Sequence, residues 1–173
     1  VYGNPLTQPV FETAEPAPIS PYGTSKLMTE WMLRDTHAAH GLDYVALRYF
    51  NVAGADPKGR CGQSTPRATH LIKVACQTAL GQRQSMDIFG TDYDTPDGTT
   101  VRDYIHVSDL ALAHVAAAKR LDAGEPLEPA YNLGSGHGVS VGEIMATVAN
   151  VTSVPFTPEV APARAGDPAR IVA

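Results

Sequence analysis

Residues 21–51 read PYGTSKLMTEWMLRDTHAAHGLDYVALRYFN, and this stretch decides the fold class. Ser20 is a good helix N-cap and Pro21 suits the first helical position, so the sequence predicts a helix over residues 21–40. The β-prone run at residues 43–50 then predicts a strand. A helix followed by such a strand is typical of an α/β fold with a parallel sheet.

Helices and strands are predicted to alternate along the rest of the chain. Further helices are predicted over residues 68–80, 108–121 and 140–151, the last opened by a capping box. Further strands are predicted over residues 86–89, 99–105, 130–133 and 155–160. Residues 1–20 and 52–66 are rich in Pro, Gly and polar residues and are expected to be loops.

The composition is that of an ordinary soluble domain, with 173 residues, 43% of them hydrophobic and 18% charged, and a net charge of −5. The acidic balance argues against a nucleic-acid partner. No apolar run approaches the ~20 residues that span a membrane. Cys61 and Cys76 lack metal-ligand spacing and favour free thiols in a reducing cytoplasm, although the sequence leaves a disulfide open.

No metal site is predicted, because the six histidines form no ligand cluster. Asp103, His106 and Asp109 are close enough in sequence to suggest one, but structural roles are expected for them. The chain begins at Val1 rather than at a Met, and it is expected to be an internal piece of a longer protein.

Tyr22 and Lys26 are four residues apart, so on a helix their side chains share a face. An ordinary phenol ionises near pH ~10 and is a poor base at neutral pH. A nearby cation favours the phenolate, which can remove a proton from an alcohol while a cofactor takes the hydride. The same spacing also arises where a surface lysine covers a half-buried tyrosine, and both interpretations stay open at this point.

Five segments carry a resemblance to a known family. They are VYG at residues 1–3, PYGTSK at 21–26, LRYFNVAGA at 47–55, IFGTDYDTPDGTTVRDYIHV at 88–107 and RAGDP at 164–168. They follow one another in the family's order across nearly the whole chain, and the fourth is the most specific. On these segments the sequence resembles the extended short-chain dehydrogenase/reductase family, and within it the nucleotide-sugar 4-epimerases.

The resemblance implies a partial Rossmann-like fold, with the latter part of the parallel sheet and most of the smaller substrate-binding region. Residues 1–51 would carry the catalytic helix and a late strand of the sheet. Residues 52–173 would be mainly substrate-binding, with a returning strand near 130–133. The family's Gly-rich dinucleotide motif is not among these residues, nor is the Ser or Thr expected just before Val1. The chain alone is therefore expected to be inactive and to bind NAD weakly.

The activity implied is the NAD-dependent interconversion of UDP-glucose and UDP-galactose through transient oxidation at C4 of the sugar, in a cytoplasmic homodimer. Tyr22 matches the catalytic base, and Lys26 matches the residue that holds the nicotinamide ribose. Tyr49 and Phe50 match positions beside the nicotinamide.

The resemblance also implies a site for the UDP-sugar substrate. The matching positions are Asn51, His70, Leu71, Asp87, Ile88, Phe89, Arg102, Arg164 and Asp167. Asn51 and the two arginines match diphosphate contacts, residues 87–89 match the segment that packs on uracil, and Asp167 matches a ribose contact. His70 stands where the family more commonly has Asn. Each assignment has a structural alternative, because apolar strand ends can belong to a core and an Arg beside an Asp can form a surface ion pair.

Two alternatives remain open at this stage. Another nucleotide-sugar enzyme of the same superfamily, such as a UDP-xylose/arabinose 4-epimerase, a 4,6-dehydratase or a decarboxylase, would share many of these motifs. A non-catalytic regulatory or structural protein on the same scaffold is the alternative of another class. Such proteins often lose the Tyr or the Lys, and this chain retains both.

Overall fold

The computed structural model describes residues 1–155 and 157–173 and divides the chain into two compact units. Unit 1 comprises Val1–Gly54, Asp103–His137 and Ile171–Ala173, and unit 2 comprises Ala55–Arg102 and Gly138–Arg170. Phe156, which falls within the predicted strand at 155–160, lies outside the described residues.

Helices and strands alternate along the described chain, as the sequence predicts. In chain order the elements are α1 (Pro21–His40), β1 (Ala46–Tyr49), β2 (Asn51–Ala53), α2 (Leu71–Ala79), β3 (Asp87–Phe89), β4 (Val101–His106), α3 (Val107–Asp122), β5 (Ala130–Leu133), β6 (Gly138–Ser140), α4 (Val141–Thr152), β7 (Glu159–Ala161) and β8 (Arg170–Ile171). None of the helices in this described part is long and apolar enough to cross a membrane.

Helix α1 has the bounds that its end signals predict. The Ser20 hydroxyl accepts a hydrogen bond from the backbone N–H of Gly23 at 3.1 Å. Gly41 adopts a left-handed conformation with φ of 68° and donates its N–H to the His37 carbonyl. Only Gly23 and Leu27 of this helix are buried, so most of its surface is exposed.

The strands of unit 1 pair in parallel, which confirms the α/β class. Strand β1 pairs with β5 in the register Ala46↔Ala130 to Tyr49↔Leu133. Strand β2 pairs with β4 in the register Asn51↔Tyr104 to Ala53↔His106. Tyr49 is the last residue of β1, and Asn51 follows it as the first residue of β2. Because ligands of parallel α/β sheets bind beyond the carboxyl ends of the strands, the end of β1 is a candidate ligand edge.

Unit 2 has its own small hydrophobic core. Ala75 of α2, Met86 and Met145 of α4 are all buried and pack together. The pair β3 and β7 is parallel, with Phe89 opposite Ala161. The predicted capping box opens α4, since the Ser140 hydroxyl and the Glu143 carboxylate each accept the other residue's N–H.

Several boundaries differ from the predictions. Residues 51–53 were predicted partly as loop but form β2, because their backbone hydrogen-bonds to β4. Helix α2 begins at Leu71 rather than at residue 68. The N-cap of α3 is His106 rather than Ser108, since the His106 Nδ1 accepts the Ser108 N–H at 3.2 Å. Strands β6 and β8 were not predicted, because runs this short depend on pairing with β4 rather than on local sequence.

A largely buried ion pair joins α1 to β1 in unit 1. Arg48 donates two hydrogen bonds to the Glu30 carboxylate at 2.9 and 2.6 Å. A third hydrogen bond runs from Arg48 to the Tyr2 hydroxyl at 2.6 Å, and Tyr2 donates to the Asn132 side chain at 2.7 Å. The hydrogen bonds that Arg48 donates to Glu30 raise the pKa of Arg48 above its ordinary value. This network holds the strand that carries Tyr49 against the helix that carries Tyr22 and Lys26.

Asp103 is fully buried, and its carboxylate is surrounded by donors of unit 1. It accepts hydrogen bonds from the Ser135 N–H and hydroxyl at 2.7 and 2.8 Å, the Gly136 N–H at 3.0 Å and the Ala173 N–H at 3.1 Å. A Cβ on Gly134 would lie 2.5 Å from the same carboxylate, so glycine is required there. Among the described residues no group of three or more His, Cys, Asp or Glu side chains could hold a metal ion.

Candidate active site

Tyr22 and Lys26 lie together on the first turns of α1. The Lys26 Nζ is 5.4 Å from the centroid of the Tyr22 ring, so the two side chains share a face as their spacing predicts. Tyr22 is 72% exposed in this chain, so Lys26 does not cover it here. An exposed phenol beside an exposed ammonium is an arrangement suited to proton transfer with a bound alcohol.

Tyr49, Phe50 and Asn51 lie where β1 passes into β2, at the carboxyl end of β1. Tyr49 is 52% exposed, and its ring lies 6.5 Å from the His114 ring between centroids. The Phe50 N–H donates to the Leu133 carbonyl at 3.1 Å and extends the pairing of β1 with β5. His114 was not singled out in the sequence, because only the packing of α3 brings it to Tyr49.

Four of the predicted substrate residues form one group in unit 2, here called the arginine cluster: Phe89, Arg102, Arg164 and Asp167. The Arg164 guanidinium carbon is 3.7 Å from the centroid of the Phe89 ring. Arg102 lies 3.8 Å from the Asp167 carboxylate, and the Asp167 N–H donates to the Arg164 carbonyl at 3.2 Å. Two cations, one aromatic ring and one carboxylate therefore lie close together in a single compact unit.

Three more of the predicted substrate residues make contacts different from those of the arginine cluster: Leu71, Ile88 and Asp87. Leu71 and Ile88 are partly buried and pack against the core of unit 2, which is the structural alternative that the sequence left open. Asp87 is exposed at the start of β3 and pairs with Glu159 of β7. None of these contacts joins them to the arginine cluster.

His70 precedes α2 and is exposed. Its Nδ1 lies 2.7 Å from the Gln63 side-chain amide nitrogen, and Lys73 donates to the Gln63 carbonyl at 2.8 Å. If the Gln63 amide donates this hydrogen bond, the His70 ring proton is on Nε2. Gln63 was missed in the sequence, where it is one polar residue among several in a predicted loop.

Tyr93, like His114 and Gln63, is a residue to which the sequence analysis assigned no role. Its hydroxyl is buried and has no hydrogen-bond partner among the described residues. A Cβ on Gly90, whose φ is 82°, would lie 2.6 Å from the Tyr93 ring and 2.9 Å from the Ala163 Cβ. Gly90 follows Phe89 in the chain, and Ala163 precedes Arg164. Tyr93 therefore packs beside the neighbours of two residues of the arginine cluster.

Known proteins similar to this chain agree on one family. The sequence profile of the NAD dependent epimerase/dehydratase family matches residues 1–134. A UDP-glucose 4-epimerase from Azospirillum brasilense is 59% identical over 173 residues, which are 100% of this chain and 49% of that protein. The chain spans about half the length of the curated relatives it matches.

Solved structures give the same result. The UDP-glucose 4-epimerase from Brucella ovis, in complex with NAD, matches with a TM-score of 0.93 and 45% identity, covering 99% of this chain and 53% of that one. The enzyme of the same name from Bifidobacterium longum, in complex with NAD+ and UDP, matches with a TM-score of 0.91 and 39% identity, covering 100% of this chain and 52% of that one.

Proposed function

Because this chain belongs to the NAD-dependent epimerase/dehydratase family, we propose that it forms about half of a UDP-glucose 4-epimerase, which interconverts UDP-glucose and UDP-galactose. Its fold is the expected partial Rossmann-like fold of the extended short-chain dehydrogenase/reductases. The observation that carries the proposal is the exposed pair of Tyr22 and Lys26 on one face of α1.

The residues of unit 1 fit the nicotinamide end of NAD. The Lys26 ammonium offers donors for ribose hydroxyls, and the exposed Tyr49 ring stands at the carboxyl end of β1, where cofactors of parallel sheets bind. Bound NAD supplies a reversible acceptor for the hydride of C4 of the sugar. The chain's own contribution is the binding of the cofactor and the movement of the matching proton.

Tyr22 moves that proton in the proposed reaction. Its phenolate oxygen removes the proton of the C4 hydroxyl during oxidation and returns it during reduction. The Lys26 ammonium stabilises the negative charge that the phenol carries when it acts as the base. The sugar must present either face to the cofactor, so contacts to the sugar ring have to be few.

The nucleotide is held by unit 2 in this proposal. The guanidinium groups of Arg102 and Arg164 match diphosphate oxygens in shape and charge. Asp167 accepts hydrogen bonds from ribose hydroxyls, and residues 87–89 pack on the uracil. His70 adds a hydrogen bond to the nucleotide sugar, with Leu71 beside it, and Asn51, which belongs to unit 1, adds one to the diphosphate. Strong contacts to UDP and weak contacts to the sugar allow the sugar to turn while the nucleotide stays bound.

Two further proposals concern the whole protein. The chain alone does not bind NAD tightly and does not turn over, so the activity belongs to the longer, cytoplasmic protein in galactose metabolism. The full-length protein is a homodimer, and the exposed apolar side chains of Met28, Trp31 and Met32 on α1 support a helix contact between copies. A stoichiometric NAD signal in the purified 173-residue chain would refute the first of these proposals.

The test is an epimerase assay on the full-length protein. UDP-glucose and UDP-galactose should interconvert with no net change in NAD. The same assay with N-acetylated and pentose UDP-sugars would identify another epimerase of the family if one of these is the better substrate. Binding of NAD and UDP-sugars without turnover of any of them would support a non-catalytic protein and contradict the proposal.

A further inference from the structure

The Arg164 guanidinium stacks on the face of the Phe89 ring. The 3.7 Å between the guanidinium carbon and the ring centroid is a van der Waals contact of two flat groups. A stacked guanidinium uses its face for the ring and keeps the N–H groups at its edge available. These edge N–H groups are the ones that bind phosphate oxygens in pairs.

The ring that carries this contact is fixed by its strand. Phe89 is the last residue of β3 and pairs with Ala161 of β7, and the next N–H, that of Gly90, donates to the Ala161 carbonyl at 2.9 Å. The Tyr93 ring packs against Gly90 and leaves no room for a Cβ there. Arg164 follows β7 closely in the chain. The end of a strand therefore presents the ring, and the turn that follows β7 presents the cation.

The two arginines of the cluster differ in what holds them. Arg102 lies 3.8 Å from the Asp167 carboxylate, and its side chain is only 15% exposed. Arg164 is exposed and makes no salt bridge within residues 1–155 and 157–173. Its guanidinium instead contacts the Phe89 ring. A long, exposed side chain without a carboxylate partner loses rotamer freedom when it binds a ligand, and a stacked ring reduces that loss.

We propose that Phe89 is a positioning residue, which holds the Arg164 guanidinium ready for the diphosphate. This inference rests on the proposed function and adds a role to Phe89, which the family resemblance assigns to the uracil. Its consequence is that Phe89 acts through Arg164. Removing the ring therefore weakens binding of UDP-sugars more strongly while Arg164 is present.

A double-mutant cycle on the full-length protein tests this role. Phe89→Leu should lower kcat/KM for UDP-galactose about 3- to 30-fold, the range of a cation–π contact expressed as a rate ratio. In the Arg164→Ala background the same substitution should lower kcat/KM by a smaller factor, because only the contact with uracil is then lost. Phe89→Tyr, which keeps the aromatic face, should stay close to the wild type. An equal loss from Phe89→Leu in both backgrounds would overturn the proposal and leave uracil packing as the role of the ring.

Two controls separate this outcome from other failures. Val160→Ala removes an exposed side chain from the neighbouring strand β7 and should leave kcat/KM unchanged in both backgrounds. The NMR signal of the Arg164 Nε–H should show a ring-current shift that Phe89→Leu abolishes. A wild-type protein that shows this shift but converts no UDP-sugar would contradict the proposed function and leave the contact intact. The absence of the shift from the wild type would contradict the contact itself.

Discussion

Unit 1 and unit 2 hold their charged groups in opposite ways. In unit 1 the strongest charge pair, Glu30 with Arg48, is largely buried and ties α1 to β1, while the Tyr22–Lys26 pair proposed for chemistry is exposed. In unit 2 the residues proposed to bind the nucleotide already contact one another, as Arg164 stacks on Phe89 and Arg102 faces Asp167.

The difference separates two tasks of the proposed reaction, holding the ligand and transferring a proton. Groups that hold a ligand through a whole reaction gain from being preorganised, since less entropy is lost on binding. Groups that transfer a proton need a fixed backbone and a free functional end. The buried Glu30–Arg48 pair provides the fixed backbone for Tyr22, and the phenol itself stays accessible to a substrate.

The largest expected effect concerns the buried pair of unit 1. Glu30→Ala leaves the Arg48 guanidinium without its carboxylate and should lower the free energy of unfolding by about 3 kcal/mol. The matched control is Asp35→Ala, which removes the carboxylate of the exposed Arg34–Asp35 pair, with side chains 63% and 69% exposed. Asp35→Ala should lower the free energy of unfolding by no more than about 1 kcal/mol. Urea unfolding measures both, and equal losses would contradict the distinction between buried and exposed pairs.

The second prediction tests the exposed pair. Tyr22→Phe removes the proton-transferring oxygen and should lower kcat of the full-length protein by about 10²-fold or more, the scale of a positioned acid or base. The KM for the UDP-sugar should change little, because most of the nucleotide contacts proposed above belong to residues of unit 2. Tyr44→Phe, a tyrosine with no assigned role, is the control and should leave kcat unchanged. Turnover that survives Tyr22→Phe would remove Tyr22 from the mechanism.

The third prediction concerns the arginine cluster, and its expected effect is on KM rather than on kcat. Arg102→Ala should raise KM for UDP-glucose about 10-fold or more, the effect of losing one charge-assisted hydrogen bond to phosphate. Because this contact exists before and during the reaction, kcat should fall much less. Arg60→Ala, which removes an exposed arginine of the same unit, serves as control. A fall in kcat at constant KM would place Arg102 with the chemistry and not with the binding.

The smallest effect is the acid sensitivity of unit 2. The hydrogen bond from the Arg60 side chain, followed by one from its N–H, lowers the pKa of Asp56 to about 2. Burial acts to raise the pKa of Asp97, but hydrogen bonds from Ser140 and Thr99 outweigh it, and the net shift is downward. Both carboxylates belong to unit 2.

Each of these two groups binds fewer protons in the folded than in the unfolded chain. Their stabilisation is therefore complete above the unfolded pKa near ~3.9 and is lost as pH falls through the lower, folded pKa. Hydrogen exchange between pH 5 and pH 2, rough limits set by these pKa values, should show unit 2 amides losing protection as the pH falls. Asp97→Asn should remove part of this pH dependence, and a pH dependence unchanged by that substitution would contradict the prediction.

Much of the local structure could be predicted from residues that act on their own neighbours. Ser20, Pro21 and Gly41 set the ends of α1, and the Ser140–Glu143 capping box opens α4, because these signals use only local hydrogen bonds. Strand β2 and the His106 cap were missed, since a three-residue strand and a ring nitrogen acting as a cap depend on partners that fold beside them.

For the candidate site too, the sequence predicted some arrangements and missed others. The spacing of Tyr22 and Lys26 fixes their common face, since it follows from the helix period alone. The residues of the arginine cluster were recognised one by one from motifs, but nothing in those motifs indicates that Arg164 stacks on Phe89. Gln63 and His114 carried no sequence signal, because their contacts arise only from packing with other elements. Tyr93 stands in the motif at residues 88–107, but the motif does not indicate what its side chain contacts.

The sequence by itself determined the α/β class, the helix that carries Tyr22 and Lys26, and the family to which the motifs belong. These properties follow from periodicity, capping and residue identity, which are local. Only the tertiary structure decided which charges are buried, that Glu30 pairs with Arg48, and that Phe89 contacts Arg164. These outcomes depend on how strands distant in sequence pair and how side chains pack between them, because burial and contact distance are properties of the folded chain.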